Sequence, residues 1–411
     1  MVTVRRPTDA WCQMGAISLA TFLCMSIWFS ASAVGSQLQS AWGISRGQVS
    51  WLTMAVQIGF VAGTLLSAAL NLPDRIRAER LLAVSALAGA AANLLIPVLA
   101  SDENGADMYP VVLSLRFATG VTLAGVYPPG MKLIASWFSN HRGLAIGILV
   151  GALTLGSALP HLLLAVRVTP SWKGMMYMVS GAACLASILA ALLIRSGPHL
   201  PQSTRLDWKY FIRAWGDVPL RRANFGYLGH QWELYAMWTW APALIYDSFL
   251  ADNYTKSAGH LAGFAVIAIG CLSCALAGWY ADRAGRTRTT IISLSVSGAC
   301  CLVAGHLMGH PMALLAVCLV WGALVISDSA QYSASITELC DPQLVGTALT
   351  LQTCAGFLLT TITIWLLPPV KELVGPGAAF SLLALGPVFG IWQMYRLRGM
   401  PESTRLAGGR R

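Results

Sequence analysis

Stretches of about twenty apolar residues, each closed by a short polar turn, follow one another from the start of the chain to its end. A helix of about 20 residues spans a bilayer. On that ruler twelve runs are predicted, near 11–34, 47–70, 81–100, 108–131, 143–165, 174–195, 223–247, 258–280, 289–309, 311–335, 345–369 and 376–396. The first run follows Arg5 and Arg6 and contains Ala31-Ser32-Ala33, which looks like a signal-peptide cleavage site. Its apolar body is too long for that, and cleavage would leave an odd number of helices. The predicted fold class is therefore an all-α integral membrane protein with twelve transmembrane helices.

The polar turns are not all alike. Residues 278–288 form a short cationic turn between the eighth and ninth runs, and 71–80 repeat it weakly between the second and third. One unit written twice gives a six-helix half over 1–195 and another over 223–396, with 196–222 as a linker and 397–411 as a tail. Gly278, Asp282, Arg283, Gly285 and Arg286 make the pattern Gly-x-x-x-Asp-Arg-x-Gly-Arg after the second helix of a half. This pattern resembles the loop signature of the major facilitator superfamily, a family of solute carriers, and the resemblance covers most of the chain. It implies two pseudo-symmetric bundles around a central cavity, lined by the first and fourth helices of each half. The second and fifth helices of each half would form the seam, and the two halves would rock in alternating access, gated at these loops. Asp74 and Arg75 are the first-half counterparts. There Leu70 and Arg77 stand in place of the two glycines, so the first-half gate is expected to close differently.

Composition and charge narrow the function classes. Hydrophobic residues are 56% and charged residues 11% of the chain, against roughly 25% charged in soluble domains. A soluble fold could not hide that surface. The ten cysteines lie in apolar runs without a zinc-type cluster, and the C-x-x-C of Cys271 and Cys274 reads as two packing residues rather than a redox pair. No metal and no cofactor are expected, and no nucleotide loop or catalytic triad points to an enzyme. With the N-terminus inside, 21 Lys and Arg fall on the inner side and five on the outer, so both termini are expected in the cytoplasm. The net charge of +10 then reports topology and attraction to the lipid bilayer, and needs no nucleic-acid partner. The expected setting is a bacterial inner membrane, and the expected state a monomer. In the linker, Trp208, Tyr210, Phe211 and Trp215 fit a short amphipathic segment on the inner leaflet.

Small residues recur every four positions on particular helices, as Gly59, Gly63 and Ser67, Gly143, Gly147 and Gly151, Gly259 and Gly263 then Cys271 and Ala275, and Gly346, Thr350 and Cys354. That spacing lets helix backbones approach closely in lipid. These are the helices that the resemblance assigns to the seam.

Charges inside the apolar runs are few. Away from helix ends they are Arg116, Glu233 and Asp328, and each costs about 2.5 to 3.5 kcal/mol at mid-bilayer unless it faces protein or a wet cavity. All three fall on helices that the resemblance places around the cavity. Arg116 begins an Arg-x-x-x-Gly pattern similar to one on the fourth helix in that family, where the arginine is implicated in substrate binding or proton coupling. A guanidinium stays charged and matches a carboxylate or phosphate; alternatively it pairs with a carbonyl and locks a helix. Beyond it, Tyr127-Pro128-Pro129-Gly130 predicts a bend, with Tyr127 near the cavity.

His230 and Glu233 are three residues apart, hence on one helix face and within mutual reach. Carboxyls in a low dielectric and imidazoles both exchange protons near neutral pH, which suits proton coupling; the alternative is a static pair that fixes helix packing. Trp238 and Trp240 are assigned to the outer aromatic belt because Pro242 and Asp247 follow them. Trp321, Asp328, Gln331 and Tyr332 on the tenth helix, with Trp28, Ser30, Ser32 and Gln37 on the first, are expected to form a wet, partly aromatic cavity. His161 and His306 read as interfacial.

The predicted function is a secondary carrier in which Glu233, His230 and Asp328 couple protons to uptake of a small organic solute. Arg116, Trp28, Gln331, Tyr332, Trp321 and Tyr127 are the expected substrate ligands, and charge balance around Arg116 favours an anion. Proton-driven export of an amphipathic compound is the alternative, although Gly156-Ser157-Ala158-Leu159-Pro160 is only a loose echo of the exporter signature. Asparagine is missing from the fifth and eleventh helices, which disfavours nitrate. A third reading, a non-transporting sensor on a carrier fold, would require a soluble signalling domain.

Overall fold

The computed structural model describes residues 7–138, 142–168, 171–199, 216–341 and 344–411. The expected amphipathic segment around Trp208 to Trp215 lies outside them, as does the side chain of Asp74. Among the described residues the chain is helical, with nine helices long and apolar enough to cross a membrane. One of these, Val345–Arg398, turns at Gly375 (φ +83°) and is two spans. The first and seventh spans complete the twelve. The first is broken into Pro7–Met25, Ser30–Ala33 and Gly35–Trp42, and the seventh is Val218–Ala251. The seventh carries His230, Gln231 and Glu233, and the first carries Asp9 and Gln13 in its opening helix with the buried Ser26 and Ser30 at and beside its break. Spans 1 to 12 are numbered here in chain order.

Local chemistry sets where spans start and break. Gly43 turns the chain in the left-handed region, and Ser45 then caps span 2, Arg46–Ala69, in a reciprocal box with Gln48. Span 4, Gly105–Trp137, breaks between Leu123 and Tyr127, directly before Pro128 and Pro129. Proline has no N–H and fits the first turn of the segment that follows. Span 1 continues past the expected 11–34 to Trp42 and breaks at residues 26–29 without any proline or glycine. Freed carbonyls in a membrane are tolerated only where protein satisfies them. Here a side chain does so.

The small residues act in two ways. Gly147 and Gly151 of span 5, Arg142–Ala165, lie against the backbone at Cys274 and Cys271 of span 8, Lys256–Ala284, which joins the two halves. Gly59 and Gly63 instead face span 4, where a Cβ on Gly59 would meet the Phe117 carbonyl, and Gly259 and Gly263 face Tyr246 and Pro242 of span 7. The expectation that these stripes form the seam is thus corrected for Gly59 and Gly63 of span 2 and for Gly259 and Gly263 of span 8, which pack inside their own halves. Cys271 and Ala275 of span 8 do meet span 5, and span 2 reaches span 11 through larger side chains.

An even number of spans returns both termini to one end of the bundle. Gln13 near the N-terminus donates to the Leu193 carbonyl there (2.9 Å). After Arg398 the chain does not trail away as expected of a tail. Residues Pro401–Gly409 fold back as a 3-10 helix, and Leu406 is fully buried in an apolar cluster with Tyr332, Ile336 and Leu397.

Candidate functional site

Where the halves meet, six aromatic side chains form one connected layer. Trp28 touches Phe60, Tyr235 and Phe357 with ring centroids 5.1, 5.9 and 5.6 Å apart. Phe29 stacks on Tyr235 at 5.9 Å and meets Trp238 edge-on, while Phe60 and Phe357 are 4.7 Å apart. Three of these residues come from spans 1 and 2 and three from spans 7 and 11, and all are buried. Edge-to-face and tilted contacts of this kind add about 0.5–1.5 kcal/mol each to area burial, so the layer holds the halves together. Trp238 therefore belongs to the centre, not to the outer belt. Of the expected cavity residues only Trp28 lies in the layer.

One turn from this layer, towards the end opposite the termini, a crevice opens between the halves. Ser32, Gln39, Arg46 and Thr53 line one wall, and Thr239, Trp240, Asp247 and Lys371 the other. Ser32 and Thr53 hydroxyls bond across spans 1 and 2, and Lys371 stands 3.8 Å from Asp247. Trp240 donates to the Ile364 carbonyl (3.1 Å) in the crevice wall.

Arg116 is fully buried, and its donors are in use. Nε donates to the Leu52 carbonyl (3.2 Å), Nη1 to the Ile27 carbonyl (2.9 Å), Ser30 and Asn93, and Nη2 to the Trp28 carbonyl (2.5 Å). The guanidinium thus holds the carbonyls freed by the break in span 1. The rigid fork of donors fits a cluster of backbone oxygens as well as it fits a carboxylate. In this arrangement it offers a solute no ligating edge, which corrects the expectation that it faces the cavity.

The ionisable groups of the second half lie inside that half. Glu233 accepts from Ser297 Oγ (2.6 Å) at one oxygen and from Cys301 Sγ (3.1 Å) and Trp321 Nε1 (3.3 Å) at the other. His230 does not meet it. His230 Nδ1 stands 2.9 Å from Asp328 Oδ1, an ion-pair distance without hydrogen-bond alignment, and Tyr332 donates to Asp328 Oδ2 (2.9 Å). The expected His230–Glu233 partnership is corrected for a geometric reason. Positions three apart diverge by about 60° around a helix, so the two side chains reach different turns of span 10, Pro311–Leu339. Asp328 sits where that span breaks between Ser327 and Ser329. Trp321, Asp328 and Tyr332 do share one stripe, but it is fully buried in protein rather than wet.

At the terminal end Arg286 is the hub of a polar network in the second-half loop. It donates to Asp282 (2.8 Å), Gln331 (3.0 Å) and Glu338 (3.0 Å). Gln331, expected as a solute ligand, is bound to Arg286 in this network. Asp282 receives Arg286, while Arg283 stacks on Trp279 of its own span at 3.8 Å. Gly278 is buried, and Gly285 (φ +96°) passes beside the backbone of Arg411. The folded tail joins this network, since Ala407 N–H donates to Glu338 (2.9 Å) and Arg410 to the Asp282 carbonyl. In the first half Arg75 is exposed, and Arg77 pairs instead with Glu79, which also accepts from Ser196. Tyr127 opens the second segment of span 4 and is partly exposed.

Partly buried ion pairs such as those of Arg286 contribute about 1–2 kcal/mol together, enough for a roughly tenfold change in population. Replacing Arg286 with Ala should accordingly raise maleimide labelling of the buried Cys340 about tenfold, measured by mass spectrometry. An unchanged labelling rate would remove the gate role.

Sequence reasoning missed Phe29, Phe60, Tyr235 and Phe357, because an aromatic residue inside an apolar helix carries no signal of its own. It also missed Gln57, Gln231 and Gln352, fully or almost fully buried amides, whose polarity inside spans was a usable signal.

Comparison with known proteins follows the same lines. The Major Facilitator Superfamily profile matches residues 17–364. The chain is 22% identical over 293 residues to the MFS-type transporter dbaD of Emericella nidulans, covering 69% of this chain and 59% of that protein. It is 26% identical over 210 residues to the MFS-type transporter hasB of Aspergillus fumigatus, covering 46% and 44%. The chain thus matches about half the length of these relatives. A solved proton:xylose symporter, XylE bound to 6-bromo-6-deoxy-D-glucose, superposes with a TM-score of 0.72 at 14% identity, over 94% of this chain and 96% of that one. A D-xylose-proton symporter gives 0.73 at 16% identity, over 95% and 98%. At such identity these structures attest the fold, and with the profile match they make this multi-pass chain a member of the major facilitator superfamily, a transporter and not an enzyme.

Proposed function

We propose that this protein is a proton-coupled secondary carrier that moves a small organic solute by alternating access. The observation that carries the reading is the pair of buried carboxyls on spans 7 and 10. Glu233 is surrounded by donors that can reorient, and Asp328 is held between His230 and Tyr332. Neither is matched by a fixed cation, because Arg116 is engaged with carbonyls. A buried charge without a permanent counter-ion is costly, so these carboxyls are the groups at which proton movement would be linked to rocking, through access from one end of the bundle or the other. The anion favoured from the sequence loses its ligand in Arg116.

The 21 to five division of Lys and Arg supports cytoplasmic termini, a cytoplasmic gate at Arg286 and a crevice open away from the cytoplasm. The expected bacterial inner membrane is not carried by the relatives above, which are fungal; the orientation rule is what we retain. A monomer is sufficient, because the layer and the crevice are completed within one chain. Uptake is favoured over export by the outward crevice. Right-side-out and inverted vesicles carrying the protein distinguish these: uptake predicts solute accumulation under an inward proton gradient in right-side-out vesicles. Accumulation confined to inverted vesicles energised with an acidic lumen would establish export.

A further inference from the structure

Two buried indoles in the aromatic layer, Trp28 (2% exposed) and Trp238 (1% exposed), have Nε1–H groups without a hydrogen-bond partner. Gln57 is fully buried, and both of its amide atoms are likewise unpartnered. Gln57 lies on the same stripe of span 2 as Thr53 and Phe60, at spacings of four and three. Thr53 bonds Ser32 of span 1, and Phe60 packs on Trp28. Gln57 is therefore held between those two contacts, facing the turn of span 1 that separates the crevice from the layer. Buried donors and acceptors in native proteins are nearly always satisfied, and three unpartnered groups at one interface are a feature to be explained. The surrounding walls are rings, and among the buried charges Arg116 is engaged with carbonyls and Glu233 with Ser297, Cys301 and Trp321.

We propose that the layer is the solute site, and that its ligand is an uncharged, flat heterocycle with an amide-like edge and further hydrogen-bond acceptors. Rings slide between rings, since aromatic faces accept other planar groups at little cost in shape. The indole N–H groups take acceptors on the solute, and the Gln57 amide pairs with an adjacent donor and acceptor, as a lactam or primary amide presents. A net charge is disfavoured because the layer offers no opposite charge, and burying an unmatched ion is expensive. A hexose is disfavoured too, because its many hydroxyls would leave most of their hydrogen bonds unmade against ring walls. This inference rests on the carrier reading but names a ligand class that the carrier reading leaves open.

The test is a thermal-shift and tryptophan-fluorescence titration of the purified full chain with matched probes. Nicotinamide and uracil are flat and uncharged, nicotinate is the anion, 1-methylnicotinamide the cation, and xylose the uncharged non-planar control. The uncharged planar probes should raise the melting temperature and quench fluorescence, and the others should not. Trp28→Phe keeps the ring and Gln57→Leu keeps the volume; each should weaken binding at least tenfold while leaving the melting temperature of the free protein unchanged or higher. Stronger binding of nicotinate, 1-methylnicotinamide or xylose would overturn the assignment. So would no binding by any planar uncharged probe, or unchanged affinity in both variants. Binding as described without flux in vesicles would instead contradict the carrier reading and leave the ligand class standing.

Discussion

With a pH gradient of one unit across proteoliposomes, Glu233→Gln should accumulate no solute above equilibrium, while wild type accumulates up to about tenfold for each coupled proton, since one unit is worth about 1.4 kcal/mol. Glutamine keeps the size of the side chain; its single oxygen can still accept from Cys301 and Trp321 while its NH2 donates to the Ser297 hydroxyl, but it cannot take up a proton. Exchange of labelled for unlabelled solute should persist at near the wild-type rate, because the two halves can still rock. Asp328, paired with His230, is the competing carrier. Normal accumulation by Glu233→Gln together with loss in Asp328→Asn would move the coupling role to span 10, and loss of exchange in Glu233→Gln would make Glu233 structural instead.

Arg116→Lys should lower thermal stability with solute affinity little changed. The Ile27 and Trp28 carbonyls at the break in span 1 and the Leu52 carbonyl of span 2 accept from the guanidinium, and a buried acceptor left without a donor costs about 1–3 kcal/mol. An ammonium carries three donors on a flexible stem and cannot reproduce the fork, so a loss of roughly 2 kcal/mol is expected for Lys. Arg116→Leu removes all the bonds and should cost about 3 kcal/mol, the low end of three such losses. Denaturation midpoints in detergent check both. Weakened solute affinity with unchanged stability in Arg116→Lys would return the arginine to the solute site.

Much of the fold is legible in the sequence because a bilayer reduces topology to one dimension: twenty apolar residues are a span, and Lys and Arg mark the turns. The break in span 4 is equally legible, since Pro128 and Pro129 announce it. The break in span 1 is not, because residues 26–29 are Ser-Ile-Trp-Phe and nothing in their backbone propensity forbids helix. It exists because Arg116, three spans further along the chain, supplies the donors that the freed carbonyls need. Sequence spacing gives the face of a helix but not the neighbour it meets, so His230 could be placed near Glu233 and yet pair with Asp328. The seam was misread for a similar reason: Gly59 permits close approach, and only the fold decides that the approach is to span 4. The gate loop was found by its pattern, while the tail that latches it, through Ala407 on Glu338, has no pattern to find.

The central claim, that protons move with the solute through the carboxyls of the second half, is tested most directly with a pH electrode. In a lightly buffered suspension of proteoliposomes without any imposed gradient, adding solute outside should make wild type alkalinise the medium as protons enter with it. Glu233→Gln should give no pH change while labelled solute still equilibrates. Solute entry through wild type with no pH change would contradict the account.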